Sequence, residues 1–258
     1  MLTKFWEGLG EGLAEKWLSL IGPALVFWAG GLYFWVGWAS LKQLSQKLIA
    51  LDTVQQVAFL VGLFLLLSAS AALIRKLAFP LLRLLEGYWP VPFVWLNVLL
   101  TKWQRKRISR WEKRWQILEH QRNQGDLSLK EKRKYAILER KLHYMPSNPE
   151  DYMPTRLGNI IRMAETQPKH KYGLDAVVCW PRLWLVLPED PRKQLKQVNE
   201  SLNKPVELWT WGVLFLLWAP KSWWALPIGL LWAWIAYQLT LNSAMAYADL
   251  IEATFDTY

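Results

Sequence analysis

Long uncharged apolar runs alternate along this chain with charged segments whose apolar residues recur at helical spacing. From Leu18 to Leu41 no residue carries a charge, with Lys16 and Lys42 on either side. As helix that run measures about 36 Å, enough to cross a bilayer with some tilt. A second uncharged run, Thr53 to Ile74, ends at Arg75-Lys76; its small residues Ala58, Gly62, Ala69 and Ala72 fall on nearly one helical face, where another helix could approach closely. Near the other end, Leu208 to Ala219 and Ser222 to Ala248 are uncharged and separated by Pro220 and Lys221, the pattern of a tight hairpin. The first of these crosses only if its helix begins near Leu202, with Lys204 and Glu207 reaching to the headgroups. The pattern predicts an all-α polytopic integral membrane protein, with four transmembrane helices in two hairpins, 17–76 and 205–248.

Between and around these runs the period is that of amphipathic helices. Residues 1–16 place Leu2, Phe5, Trp6, Leu9 and Leu13 on one face and carry Glu7, Glu11 and Glu15, which predicts a helix lying at the membrane surface. Residues 77–101 are apolar but interrupted by Arg83, Glu86, Pro80, Pro90 and Pro92, and so predict an interfacial or re-entrant segment rather than a straight span. From 102 to 204 runs a helical module. Ile108, Trp111, Trp115 and Leu118 form one stripe and Tyr135, Leu138 and Leu142 a second, joined through "QGD" and a Ser128/Glu131 capping box, which predicts an antiparallel hairpin. Asn148-Pro149 opens a short turn of helix. The segment 154–165 then turns Leu157, Ile160, Ile161 and Ala164 inward and Arg156, Asn159 and Arg162 outward, and a helix from Asp190-Pro191 turns Leu195, Val198 and Leu202 inward on its way to the third span. Residues 249–258 read as an acidic C-terminal tail.

One stretch of the module, "KYGLDAVVCWPRLWLVLP" at 171–188, is as apolar as a span. Its uncharged portions are too short to cross, and Gly173, Pro181 and Pro188 divide it. It is expected to be an apolar wedge seated against residues 77–101, with Arg182 paired to Asp175.

Charge adds an orientation. The region 102–207 holds 23 of the 31 Lys and Arg and 13 of the 21 Asp and Glu, so it carries the whole net charge of +10. Cations beside span ends stay on the cytoplasmic side, and Lys102, Arg105, Lys106, Arg107, Arg110, Lys113 and Arg114 crowd one such end. The module and both termini are therefore expected in the cytoplasm, with the chain in the cytoplasmic membrane. Nineteen tryptophans agree with a membrane setting, where an apolar ring bearing one N–H donor suits the interface.

The stretches "TRLGNIIRMAE", "KYGLDAVVCWPRLW" and "AYADLIEATFD" resemble a set of bacterial multi-pass membrane proteins in which a soluble block separates apolar pairs. The resemblance covers roughly the second half of the chain and implies organisation, with no activity attached to it.

Candidate chemistry is sparse. His170, Asp175 and the lone Cys179 contain the types of a thiol site, a base and an orienting carboxylate, but spacing within one short segment does not make that geometry, and a cysteine among Val177, Val178 and Trp180 more often acts as a small apolar residue. His120, His143 and His170 lie far apart with no Cys pair, so no metal site is expected, and no motif calls for a cofactor. "KWQRKRISRWEKRW" interleaves cations with Trp, as nucleic-acid binding would require, yet Trp111 and Trp115 belong to the apolar stripe and lipid headgroups are the nearer phosphates. The expected function is non-enzymatic: a basic module that docks a cytoplasmic protein, the anionic membrane surface, or both. Its contact residues would be Lys102, Arg105, Lys106, Arg107, Arg110, Arg156, Arg162, Asp175 and Arg182. The alternative is an oligomeric channel or membrane-perturbing effector, assembled from copies of the chain through the small-residue face.

Overall fold

The computed structural model describes residues 21–35, 37, 43, 46–125 and 127–258, all helix and connecting turns with no strand among them. The interfacial helix expected over 1–16 and the outer parts of the first span lie outside the described residues. Eight helices organise the remainder: α1 (Ile21–Trp35), α2 (Thr53–Glu86), α3 (Val94–Asn123), α4 (Leu129–His143), α5 (Arg156–Tyr172), α6 (Ala176–Val186), α7 (Glu189–Phe215) and α8 (Ala225–Thr257). They form two compact units. The first holds the described residues up to Phe79 with Asn203–Gln238; the second is Pro80–Leu202 with Leu239–Tyr258, so the division falls within α2, α7 and α8.

In the first unit, rings and small residues supply the core. Ala24, Phe27, Leu67, Ile74, Trp211, Phe215 and Ala225 are buried together. Phe27 stacks against Trp211 and Trp218 at 5.3 and 5.4 Å between ring centres. The adjacent glycines of α1 make room for this: a Cβ on Gly30 would stand 2.8 Å from Phe215, and one on Gly31 would stand 2.2 Å from the Trp218 indole. The turn of α7 into α8 is equally close, since a Cβ on Gly212 would meet the Ala233 backbone at 2.7 Å. Small residues thus set helix approach here, but not those expected from the sequence. Ala58, Gly62, Ala69 and Ala72 lie exposed on α2, which packs instead through Leu67 and Ile74 and accepts a hydrogen bond from Trp28 Nε1 at Ser70 Oγ, 3.4 Å away.

One candidate crossing helix is present among the described residues, within Thr53–Asn123, and 11% of its most apolar stretch is buried. The four-span pattern is met by length and apolarity only there. The described part of α1 is short; α7 carries Lys204 and Glu207; α8 is free of charge from 225 to 248 but includes Trp232, Trp234, Tyr237, Gln238 and Asn242, whose polar ends dilute its hydrocarbon character.

The second unit differs from the sequence pattern in two places. Residues 77–86 are no separate segment but the last turns of α2, which continues through Pro80, and 91–93 form a single 3-10 turn leading into α3. Pro80 removes one backbone donor without ending the helix, because the turns around it remain bonded. The expected acidic tail is the last part of α8, with Ala248, Ile251, Thr254 and Phe255 buried. Elsewhere the pattern holds. Ser128 and Glu131 form the reciprocal capping box. Antiparallel pairing of α3 with α4 buries Tyr135, with Trp115 stacked on it, and Ile108 is buried with Met145 and Tyr152. Asn148 accepts a hydrogen bond from the Glu150 N–H, and α7 runs unbroken from Glu189 to Phe215.

Candidate functional site

The C-terminal end of α2 is a hydrogen-bonded polar locus of the second unit. A helix end leaves carbonyls without intrahelical donors, and side chains take several at and just past this one. Trp89 Nε1 donates to Leu84 O at 2.7 Å, Asn97 Nδ2 to Gly87 O at 2.9 Å, and Thr155 Oγ1 to Glu86 O at 2.9 Å. The same Thr155 oxygen accepts the Gly158 N–H at 2.9 Å and so caps α5. Gly158 is required by contact, because a Cβ there would lie 2.0 Å from Glu86 O. Gly87 turns the chain with φ +109°, a region that favours glycine, and Pro154 sits over it.

Asn159 holds the other side. It was expected to face outward, yet it is fully buried: Oδ1 accepts the Met153 N–H at 2.8 Å, and Nδ2 donates to Met153 O and Thr155 O at 3.0 and 2.8 Å. "TRLGN" is thus a latch in which Thr, Gly and Asn each have a geometric task. Beside it the Glu86 carboxylate is buried and bonded to Arg83 at 2.9 Å. Burial pushes its pKa above the ordinary carboxylate value, the Arg83 charge pulls it back, and the Glu165 carboxylate adds to the rise.

Arg162 pairs with Asp151 at 2.9 Å and with Glu165 at 3.4 Å, so it is a framework residue, and Arg156 is half-buried on the same helix. On the α8 side an acidic row meets the module. Asp249 accepts from the Tyr144 hydroxyl at 3.0 Å, Glu252 from Gln167 Nε2 at 2.6 Å and from Lys171, and Asp256 from the Tyr172 hydroxyl at 2.6 Å. The hydrogen bond to Glu252 raises the Lys171 pKa. These carboxylates stand at i, i+3 and i+7, a spacing visible in the sequence, but only the fold shows that their face is covered. Trp180 packs on Phe255 at 6.0 Å, and the stretches at 155–165, 171–184 and 246–256 all lie in this unit.

The basic surface expected on α3 is present and grooved. Trp103, Arg107, Arg110, Trp111, Lys113 and Arg114 line a depression of about 560 Å³. The Arg107 guanidinium lies over both Trp103 and Trp111, at 5.1 and 4.6 Å. Lys102, Arg105, Lys106 and Arg110 are exposed; Arg105 donates to Pro149 O and Arg110 to Lys106 O. Midway along this helix Glu112 accepts a hydrogen bond from the Tyr152 hydroxyl at 3.2 Å. Burial first, and that carboxylate second, push it up to about 12, so it stays a phenol.

Asp175 and Arg182 do not pair. Asp175 caps α6 by accepting the N–H groups of Val177 and Val178, and Arg182 donates to the Val178 carbonyl at 2.9 Å. A capping site at the first turn outcompetes a partner two turns away, because it satisfies two free backbone donors at once. The same cap leaves Asp175 orienting the backbone rather than His170 for Cys179. Among the described residues no three His, Cys, Asp or Glu gather as metal ligands would. A second depression of about 680 Å³ opens between α6, α7 and α8, with Trp180, Trp184 and Leu185 on one wall and Lys196, Asn199 and Tyr247 on the other. Compared with protein-family models, curated proteins and solved structures, the chain matches none.

Proposed function

We propose that this chain is a four-span protein of the cytoplasmic membrane, with both termini inside, whose basic helical module docks the anionic membrane surface, a cytoplasmic protein, or both. The observation that carries the membrane reading is the state of α2. Its most apolar stretch is 11% buried. A core helix of a water-soluble protein would be mostly covered, and leaving Val54, Leu60, Val61 and Leu65 more than half exposed to water would be costly. Hydrocarbon around α2 removes that cost. The α1/α7/α8 packing, with ring stacks and close glycine contacts, is of the kind that holds helices together where burial from water gives no driving force. Docking rests on the groove of α3, where Arg110, Lys113 and Arg114 stand exposed beside Arg107, whose guanidinium lies over Trp111.

The exposed small-residue face of Ala58, Gly62, Ala69 and Ala72 favours a second reading, in which copies of the chain assemble around a path as a channel or effector. Reporter fusions at the N-terminus, the 124–125 turn and Lys221 test the topology: the first two report inside and the third outside, and an external N-terminus overturns the four-span arrangement. A photo-crosslinker at Lys106 in intact cells tests docking. Adducts with lipid or with one recurring protein are expected, and neither forming rules it out. Passage of ions through vesicles carrying the purified chain would favour the channel.

A further inference from the structure

We infer that α6 is an in-plane membrane anchor, a helix whose outward half lies in the boundary between headgroups and acyl chains of an anionic bilayer. The inference rests on the membrane reading above and assigns a distinct element to the lipid surface. Helix α6 divides cleanly into two halves. Ala176, Cys179, Trp180, Leu183, Trp184 and Leu187 are buried or half-buried, whereas Val177, Val178, Pro181, Arg182, Leu185 and Val186 are all exposed, Leu185 and Val186 by 77 and 73%. An amphipathic surface helix in water turns its polar half outward. Here five of the six outward residues are apolar.

The exposure is built into the fold. Asp175 caps the first turn, and Gly173 with φ +70° ends α5 just before it. Arg192 Nε donates to Leu187 O at 2.6 Å, with a second contact from its guanidinium to Leu185 O. Trp180 is fixed against Trp184 and Phe255. With both ends and the inner face tied, the helix cannot roll to hide Val177, Val178, Leu185 and Val186.

Charge points to lipid as the occupant. The segment 169–196 carries six Lys and Arg against three Asp and Glu; Lys171 and Lys193 pair with Glu252 and Glu189, and Asp175 is engaged in the cap. Lys169 and Lys196 flank the helix and are exposed, and Arg182 is the one charge on the outward half. Its long side chain can reach a phosphate while Val178 and Leu185 enter the acyl region. A membrane surface supplies anionic headgroups and hydrocarbon in that geometry together.

Nitroxide labels on single cysteines in the full chain, with Cys179→Ala as background, test this in vesicles of zwitterionic and anionic phospholipid. Val178→Cys and Leu185→Cys probe α6, Val61→Cys probes α2, and Leu129→Cys provides a water-exposed reference. The ratio of collisions with oxygen to collisions with a nickel chelate should be several-fold higher at 178 and 185 than at 129. A ratio equal to that at 129 places α6 in water and overturns the inference. Low collision rates with both reagents mean protein covers the helix, from a second copy or a partner, and also overturn it. If 61 reads as lipid in either case, the membrane reading stands while the anchor fails; if 61 matches 129, that reading fails. Val177→Cys and Val186→Cys repeat the measurement should either first variant fold poorly.

Discussion

The two units are held together by different physics. In the unit containing α1, rings meet rings and glycines admit them: Phe27, Trp211, Phe215 and Trp218 close around Gly30 and Gly31, with apolar side chains also covering much of the outside. In the unit containing α5, a polar fit does the holding, through Thr155 and Gly158 on the end of α2, Asn159 on Met153 and Thr155, and three carboxylates of α8 on the module. Contact packing needs only shape, so it survives in hydrocarbon where burial drives nothing. Polar groups withdrawn from water must instead be satisfied one by one, which makes the second unit the less forgiving of the two.

Gly158→Val should therefore cause the largest loss, about 3 kcal/mol or more, because its new atoms strike a backbone carbonyl that no rotamer can move aside. Gly62→Val, in open space on α2, should change stability by less than about 0.5 kcal/mol. Thermal unfolding of both variants in one detergent measures the contrast, and equal midpoints would erase it. Asn159→Ala comes next at about 2–3 kcal/mol, since it strands the Met153 N–H and carbonyl away from water, while Thr155 O keeps the backbone N–H of residue 159. Limited proteolysis between 146 and 156 should quicken in that variant; an unaltered cleavage rate would remove Asn159 from the latch. Gly31→Ala is placed lower, at about 1–2 kcal/mol, because the group it meets is a Trp218 ring that can shift. A loss as large as that of Gly158→Val would show the first unit to be as rigid as the second.

How much of this was legible in the sequence depended on the range of the interaction. Ser128 with Glu131, Asn148 with Pro149, and the paired stripes of α3 and α4 act within a few residues or along one face, and their patterns gave the correct local structure. Gly158 escapes a reading of pattern because its partner, Glu86, is distant in sequence, and Asn159 because its near partners, Met153 and Thr155, precede its helix in a turn whose course no periodicity gives. Asp175 was assigned to Arg182 by charge, when the free donors of its own helix were nearer. The 77–101 segment was cut at its charges, although Arg83 and Glu86 satisfy one another on continuous helix. The α3 cations were correctly placed at a surface, since their number alone precludes burial.

The smallest expected effect concerns pH. Burial raises the Glu86 pKa, so the folded state holds that proton more tightly than the unfolded chain does. The contribution is complete below the ordinary value of 4.5 and is lost as pH rises through the folded value. Glu86→Gln should flatten the unfolding midpoint against pH above 4.5, changing stability by about 1 kcal/mol or less because Arg83 still offsets the charge in the native protein. An unchanged pH slope would locate the titration elsewhere.

The central claim, that lipid covers the outer surface of α2, has a direct test in native membranes. Single cysteines at Leu60, Val61 and Leu65, with Cys179 replaced by alanine, are treated with a membrane-impermeant maleimide alongside a cysteine at Leu129. The account predicts labelling at 129 once the membranes are opened, and none at 60, 61 or 65 until detergent is added. Labelling of the α2 positions at the rate of 129 in intact bilayers would contradict it.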